Sequence, residues 1–464
     1  MKSMSDKTTK PFLALASVLI GAFIGMFSET ALNIALPQLM RALELNTGTA
    51  QWLVTGYMLV IGIVLPFSSL LTKWFSTRKL VIFGLSDFII GALISALAPN
   101  FIILLIGRIL QGGATGILLP LMFTLALQLF PPEKLGSAMG ICALVIMFAP
   151  AVGPTLTGLI LGKLSWHWIF LSFLPFLAVA LVIAYLYLPN IGQITRPKVD
   201  LLSLFSSIVG FSTLIAGVSF VTEFGWTSLQ VSLTLVIACL ALCFYVYRQL
   251  HLETPVLNLQ IFALKAFRTG TLLVMLDFAI VLSAMYLLPQ YMQKGLLLPV
   301  ALTGIVMLPG GVVNALMSAI AGRLYDRLGA KLLTRVGFVI ALLGTVLFAC
   351  TTTHSTIAYV IMAHVILMIG CPLAMSPAQT YALNALSKEH YADGSTVMNT
   401  LQQIVGALAT ALTTSFLALG QKTYPGSDPA KAFTQGMHYG SYFTIGLVII
   451  ALLLSWTLKE QKHA

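Results

Sequence analysis

Residues Gly322 to Lys331 read G-R-L-Y-D-R-L-G-A-K, a short basic break between two apolar runs at about 298–320 and 332–350. Crossing a bilayer as a helix takes about 20 apolar residues, so each run is long enough to span. An earlier stretch, Ser69 to Arg78, reads S-L-L-T-K-W-F-S-T-R and follows another such run at the corresponding point of the chain. Two basic turns in matching places point to a repeated half.

Outward from this pair the same pattern fills the sequence. Apolar runs lie at about 12–36, 51–71, 80–98, 101–129, 135–161, 167–188, 203–222, 229–247, 268–289, 298–320, 332–350, 356–381, 395–418 and 438–457, which makes fourteen. Over 464 residues the chain is 58% hydrophobic and only 8% charged, with a mean hydropathy of +0.97. A soluble domain averages roughly 25% charged residues. The chain is therefore an all-α integral membrane protein. Its first run is too long, and too polar at Ser28, Glu29 and Thr30, for a cleaved signal peptide, so it reads as a permanent span.

Two polar, proline-bearing connections, about 189–202 and 248–267, set off a pair of spans in the middle. The expected division is a six-helix bundle in 1–188, a linker with two inserted spans in 189–267, and a second six-helix bundle in 268–464. Repeated halves with a site between them are a recurring transporter architecture.

Basic residues fix the expected orientation. With the N-terminus inside, nineteen of the 25 Lys and Arg fall in inner segments, among them Lys73, Arg78, Lys79, Arg323 and Lys331. Five fall outside: Arg41, Lys163, Lys294, Lys422 and Lys431. This imbalance puts both termini in the cytoplasm. The net charge of +11 then reports topology and contact with anionic membrane lipid, and gives no argument for nucleic acid. The cysteines Cys142, Cys239, Cys243, Cys350 and Cys371 all lie in apolar runs, with no metal spacing and no disulfide framework. Short loops leave no room for an enzymatic domain, and no G-x-x-x-x-G-K-[ST] loop for ATP occurs. No cofactor is expected, and a monomer is.

The fifth run holds Phe148 to Gly158, F-A-P-A-V-G-P-T-L-T-G. Pro150 and Pro154 stack on one face and would bend a helix together. Ala149, Gly153 and Thr157 form a stripe of small residues that lets a neighbour pack closely.

Taken with Gly322, Leu324, Asp326, Arg327, Gly329 and Lys331, these motifs resemble the major facilitator superfamily, in its fourteen-span drug:proton antiporter family. The resemblance covers essentially the whole chain. The second-half loop matches the G-x-L-x-D-R-x-G-x-K signature, whereas the first-half copy has Lys73 in place of its Asp and serines at Ser69 and Ser76. That puts the charge-locking role of the first-half loop in question. Gly107 to Gly113, G-R-I-L-Q-G-G, resembles the family's R-x-x-Q-G motif, and Phe148 to Gly158 resembles its antiporter motif, with Pro150, Gly153, Pro154 and Gly158. Thr30, Asn33 and Ala35-Leu36-Pro37 resemble the span-1 motif of the fourteen-span group, and Trp166-His167-Trp168 its W-R-W. The nearest resemblance is to lincomycin and multidrug efflux members of Gram-positive bacteria. It implies the major facilitator fold, two six-helix bundles plus two extra helices, in the cytoplasmic membrane.

Charges inside a membrane default to functional hypotheses. At ~1.5 Å per residue, Glu29 and Arg108 lie roughly 11 Å from the outer ends of spans 1 and 4. They are expected to face each other or share water in the central cavity that the resemblance implies. Asp277, near the middle of span 9, is the leading proton-carrier candidate, neutral when dry and ionised when hydrated. Asp87 reads as a partner of the basic inner loop, Lys73, Arg78 or Lys79, or of the opposite bundle's loop, and less as a coupling residue. His364 reads first as a packing residue, with a proton relay as the alternative. Cavity candidates are Met26, Phe27, Trp52, Tyr57, Gln111, Tyr286, Gln290, Tyr291, Met375, Asn399 and Gln402, since aromatic and methionine side chains repack around varied apolar ligands. The expected function is proton-coupled export of amphiphilic drugs by alternating access. A lipid or lipid-linked glycan flippase is the alternative, and a nutrient uniporter or symporter disagrees with the Gly153-Pro154 motif.

Overall fold

The computed structural model of the chain describes residues 10–45, 47–191, 194–195, 200–252 and 255–458. Among these residues it is helical throughout, with no strand. The order is α1 (Pro11–Ala42), α2 (Thr47–Trp74), α3 (Thr77–Ala96), α4 (Phe101–Leu129), α5 (Leu135–Lys163), α6 (His167–Leu171), α7 (Phe173–Tyr187), α8 (Leu201–Phe224), α9 (Leu229–His251), α10 (Lys265–Lys294), α11 (Val300–Ala349), α12 (Ile357–Asn384), α13 (Tyr391–Thr423) and α14 (Pro429–Ser455).

Local sequence explains most helix ends. Asn100, Asp200, Ser228, Thr356 and Asp428 each accept a hydrogen bond from a first-turn amide of the helix they precede, satisfying a donor that has no helical partner. Pro175 cannot donate to the Leu171 carbonyl, and the expected sixth span breaks at Ser172 into α6 and α7. By contrast α5 runs unbroken through Pro150.

The basic stretch 322–331 is helical where a loop was expected. Its only departure is at Gly329 (φ 71°, ψ 177°), where two long helices within α11 meet. That backbone region suits glycine and strains other residues. Twelve helical segments among the described residues are long and apolar enough to cross a membrane, and one of them, Leu302–Ala349, contains this break.

Tight helix packing rests on small residues. A Cβ at Gly91 would meet the Gly107 carbonyl at 2.8 Å, and one at Gly112 the Tyr57 carbonyl at 2.8 Å, so α3 and α2 both lie close against α4. In the second half Gly337 and Gly370 bring α11 and α12 into similar contact. The α8–α9 pair sits beside α2 and α13. Gly62 of α2 faces Ile215 of α8, and Trp226 Nε1 donates to Ser415 Oγ of α13 at 2.5 Å. The rest of α9 presents Leu233, Val236, Leu240 and Phe244 outward, as a lipid-facing helix does.

Candidate functional site

Helices α1, α2 and α4 bring together the first polar cluster. Arg108 is fully buried, yet its guanidinium is held by neutral groups. Nη1 donates to Ser28 Oγ (2.5 Å) and Gln111 Oε1 (2.9 Å), Nη2 to the Ser28 carbonyl (3.3 Å) and Nε to the Leu53 carbonyl (3.2 Å). Its plane lies 3.9 Å from the centre of the Tyr57 ring, a cation–π stack in a dry setting. Tyr57 is pinned in turn by hydrogen bonds to the Gly25 carbonyl and Thr115 Oγ1, both 2.8 Å. Gln111 Nε2 donates to Ser95 Oγ at 2.9 Å. Glu29 feels the Arg108 charge but forms no ion pair with it within 4 Å among the described residues, and its Oε2 is buried without a hydrogen-bond partner. Glu29 and Arg108, expected to face each other or share water, lie near enough to feel each other's charge, while the guanidinium's hydrogen bonds go to neutral groups.

Gly153 seats α5 against this cluster, since a Cβ there would strike Thr30 Oγ1 and approach the Phe27 carbonyl at 3.4 Å. Thr157 on the same stripe is buried, whereas Gly158 faces open space. The side chains of Asn33, Pro37 and Pro154 lie outside the described residues. Phe27 packs edge-on to Phe173 with ring centres 5.7 Å apart, so it serves the α1–α7 contact. Met26 is buried and Trp52 is exposed.

In the second half Asp277 of α10 is fully buried, and neither carboxyl oxygen has a hydrogen-bond partner. The polar group set against it is the Cys371 thiol of α12. His364, two turns earlier on α12, is buried against Gly310 with Nδ1 unpartnered. Tyr291 donates to the Thr352 carbonyl at 2.6 Å, and Asn399 Nδ2 to the Ser395 carbonyl at 2.8 Å. Gln402 Nε2 is buried and unpartnered, Met375 is buried, and Tyr286 and Gln290 are half-buried. Asp87 faces Gly113 of α4. Two of the three basic partners proposed for it are engaged elsewhere: Arg78 bonds the Tyr185 carbonyl and stacks on that ring, and Lys73 pairs with Asp393.

The polar contacts that join the two halves fall at the end of the molecule carrying Lys73, Arg78 and Arg323, here called the basic end. Asp326 Oδ1 accepts from the Gly136 amide (2.8 Å), and its Oδ2 accepts from the Ser137 amide (3.1 Å) and hydroxyl (2.9 Å). The carboxylate thus sits on the N-terminus of α5, where free amides and the helix dipole favour an anion. Gly322 makes this possible, because a Cβ there would collide with the Gly136 carbonyl and come within 2.9 Å of Gly140 Cα. Beside it, Lys73 Nζ lies 3.2 Å from Asp393 Oδ1, Ser69 Oγ donates to the same oxygen, and His390 Nδ1 is 3.7 Å from Oδ2. Asp393 is buried and Lys73 partly exposed. Arg327 is exposed, and Lys331 is half-buried.

Sequence reasoning missed Asp393, Ser69, Ser28 and the Gly136-Ser137 docking point. One signal was present. The α5 start reads Leu135-Gly136-Ser137 and the α13 start Asp393-Gly394-Ser395, the same small pair with an acid added in the second copy.

Residues 18–410 match the profile of the Major Facilitator Superfamily. The chain is 45% identical over 458 residues to the lincomycin resistance protein LmrB of Bacillus subtilis, covering 97% of this chain and 96% of that one. It is 42% identical to the Listeria monocytogenes protein of the same name over 460 residues, 98% of both. The multidrug resistance protein B homolog of Mycobacterium tuberculosis shares 27% identity over 89% of this chain and 77% of its own. Among solved structures, the human organic anion transporter MFSD10 superposes with a TM-score of 0.68 at 11% identity, covering 96% of this chain and 99% of that one. The proton:xylose symporter XylE gives 0.66 at 14%, covering 97% and 96%. At such identities these two structures speak to the fold alone.

Proposed function

The chain belongs to the major facilitator superfamily, and from that premise we propose that it is a proton-coupled exporter of amphiphilic drugs, lincomycin among them, working by alternating access. Near-full-length similarity to lincomycin resistance proteins supports the drug class. The observation that carries the coupling is a pair of acids with buried, unpartnered oxygens: both carboxyl oxygens of Asp277 on α10, and Oε2 of the half-buried Glu29 on α1. A buried carboxyl without a partner carries a proton far more cheaply than a charge. Hydration during opening reverses that preference, so each acid can take a proton on one side and release it on the other. Arg108 keeps a fixed positive charge beside Glu29, which favours proton release there once water enters. Asp87, half-buried on α3, is kept as a lesser coupling candidate.

In this reading the basic end faces the cytoplasm, and both termini lie there, as the charge imbalance argues. The Asp326 and Lys73–Asp393 contacts then seal the inner side, leaving an outward-facing state. Tyr57 and Gln111 position Arg108, while Met26, Trp52, Tyr286, Gln290, Asn399 and Gln402 contribute to ligand contacts. We take the number of crossings as fourteen, with Gly329 dividing α11 into two and α5 (29 residues) counted as one. The membrane is that of a Gram-positive bacterium, as the Bacillus and Listeria relatives suggest.

The test uses inverted membrane vesicles energised to an inside-acid gradient. Added lincomycin should collapse the gradient, and Glu29→Gln with Asp277→Asn should abolish that response. Collapse that survives the double substitution overturns the coupling assignment. Lipid scrambling without any drug response would instead favour the flippase.

A further inference from the structure

Between Asp277 and the basic-end lock, the second half holds a buried polar slice in which only Asn399 and Gln402 have been given a task. Helix register defines it. Gly270 of α10 lies against Ala378 and Ala382 of α12, with the Ala378 carbonyl 2.7 Å from where its Cβ would be, while Asp277 lies against Cys371. On the other side Phe278 of α10 packs on Gly406 of α13, and Phe267 on Gly394. Everything on α12 from 371 to 379 and on α13 from 393 to 402 therefore lies between the level of Asp277 and the level of Asp393.

This slice is rich in polar side chains that the protein leaves unsatisfied. Gln379 is 1% exposed, and neither its Oε1 nor its Nε2 has a partner. Ser376, Thr271, Ser395, Thr396 and Thr400 are also buried, with hydroxyls that are unpartnered. Buried polar groups are ordinarily hydrogen-bonded, and a cluster of exceptions calls for an explanation. Gln379 shares a helix face with Cys371 and Met375 at four-residue spacing, which places it about 12 Å from the level of Asp277 toward the basic end. Its amide can donate and accept at once, which is what holding a chain of water molecules in one direction requires. At the far end of the slice Asp393 faces Lys73, His390 and Ser69, so a proton arriving there meets a carboxylate and the partly exposed His390 imidazole.

We propose that Gln379 positions the proton route from Asp277 to the Lys73–Asp393 lock, as the amide that orders water across the buried slice between α10, α12 and α13. Along this route the Asp277 carboxyl releases H⁺ and becomes a carboxylate. The proton passes through water held by Gln379 and the slice's hydroxyls to the basic end, and no other bond is made or broken. Gln379 itself never titrates. The proposal rests on the reading of Asp277 as a proton carrier.

Purified protein in proteoliposomes separates the two. Three readouts are needed: proton flux driven by a lincomycin gradient, lincomycin–lincomycin exchange at equal pH, and thermal stability. Gln379→Leu should slow proton flux at least about tenfold, the loss expected when one positioned hydrogen-bonding group leaves a proton path. Exchange and stability should stay at the level of the unaltered protein, and Gln379→Asn should recover most of the flux. A structural role would lower all three readouts together. Undiminished flux in Gln379→Leu overturns the route. If Asp277→Asn abolishes flux while Gln379→Leu leaves it whole, the route is wrong and the carrier assignment stands. Should Asp277→Asn leave flux whole, the carrier assignment falls and the route, which starts at that residue, falls with it.

Discussion

The two halves close on each other through two contacts whose chemistry is inverted. In one, the acid belongs to the signature stretch: Asp326 reaches across and caps α5, which offers only backbone amides and the Ser137 hydroxyl. In the other, the matching position is Lys73, and the acid, Asp393, stands at the start of α13. Both bring a carboxylate to the first turn of a helix, but only the second pairs it with a cation. A degenerate signature therefore does not mean a lost contact. The cross-half attraction needs one acid near the helix start, and either side can supply it. The difference also predicts behaviour, because a cap on buried amides is little affected by salt, whereas a pair with a partly exposed lysine is screened.

The largest effect should come from removing the space that the Asp326 cap needs. Gly322→Leu drives a side chain into the Gly136 backbone, so it should abolish the proposed drug export and lower stability by about 1–3 kcal/mol, read by thermal melting in detergent. Asp326→Ala leaves the α5 amides and Ser137 without their acceptor and should cost about 2–3 kcal/mol of the closed state. Site-directed cysteine accessibility at the basic end would report this as increased labelling. Unchanged labelling would break the comparison at its stronger limb.

The inverted limb is tested by exchange. Lys73→Asp alone puts two acids together and should open the basic end, while Lys73→Asp with Asp393→Lys should restore closure, with a coupling of about 1–3 kcal/mol. No restoration would mean that the pair is a bystander. Raising ionic strength should relax labelling near Lys73 more than near Gly136, by a few-fold at most, sharpening the contrast without any mutation.

The smallest effect concerns Asp200 and Arg248, which join the insert's ends through a 2.9 Å bond outside the lock. The Arg248 hydrogen bond, helped by Ser203, holds the Asp200 carboxyl below its ordinary value of 3.8. Its contribution is therefore full above that value and is lost only as pH falls through the lowered one. Arg248→Ala should cost about 0.5 kcal/mol or less, as exposed pairs do, and leave transport intact.

Helical spans and the repeated basic turn were legible in the sequence because lipid demands long apolar runs and a fixed period. Arg108 and Asp277 were legible too, since charge in an apolar run is conspicuous, and Asp326 was legible through the signature of the basic stretch. What held them was not. Gln111, three residues on, is the one partner a local motif contains, whereas Ser28, Tyr57 and the Leu53 carbonyl reach Arg108 from more than fifty positions away, and no local pattern announces them. Glu29 looked like the natural partner of Arg108 because charge is easier to read than geometry. Asp393 escaped notice because it sits at the start of a span, where an acid resembles an ordinary helix cap. The expected loop at 322–331 failed for a simpler reason: Arg323, Leu324, Arg327 and Leu328 are good helix formers, so the helix continues until glycine permits a turn.

Gly329 turns one continuous stretch of chain into two rods joined by a single residue. A joint of one residue has no slack, so a shift of the first rod's end must carry the adjoining end of the second with it. The two rods inside α11 therefore share one pivot, and their facing ends cannot part there. Lengthening that joint by a few flexible residues would let those ends move apart.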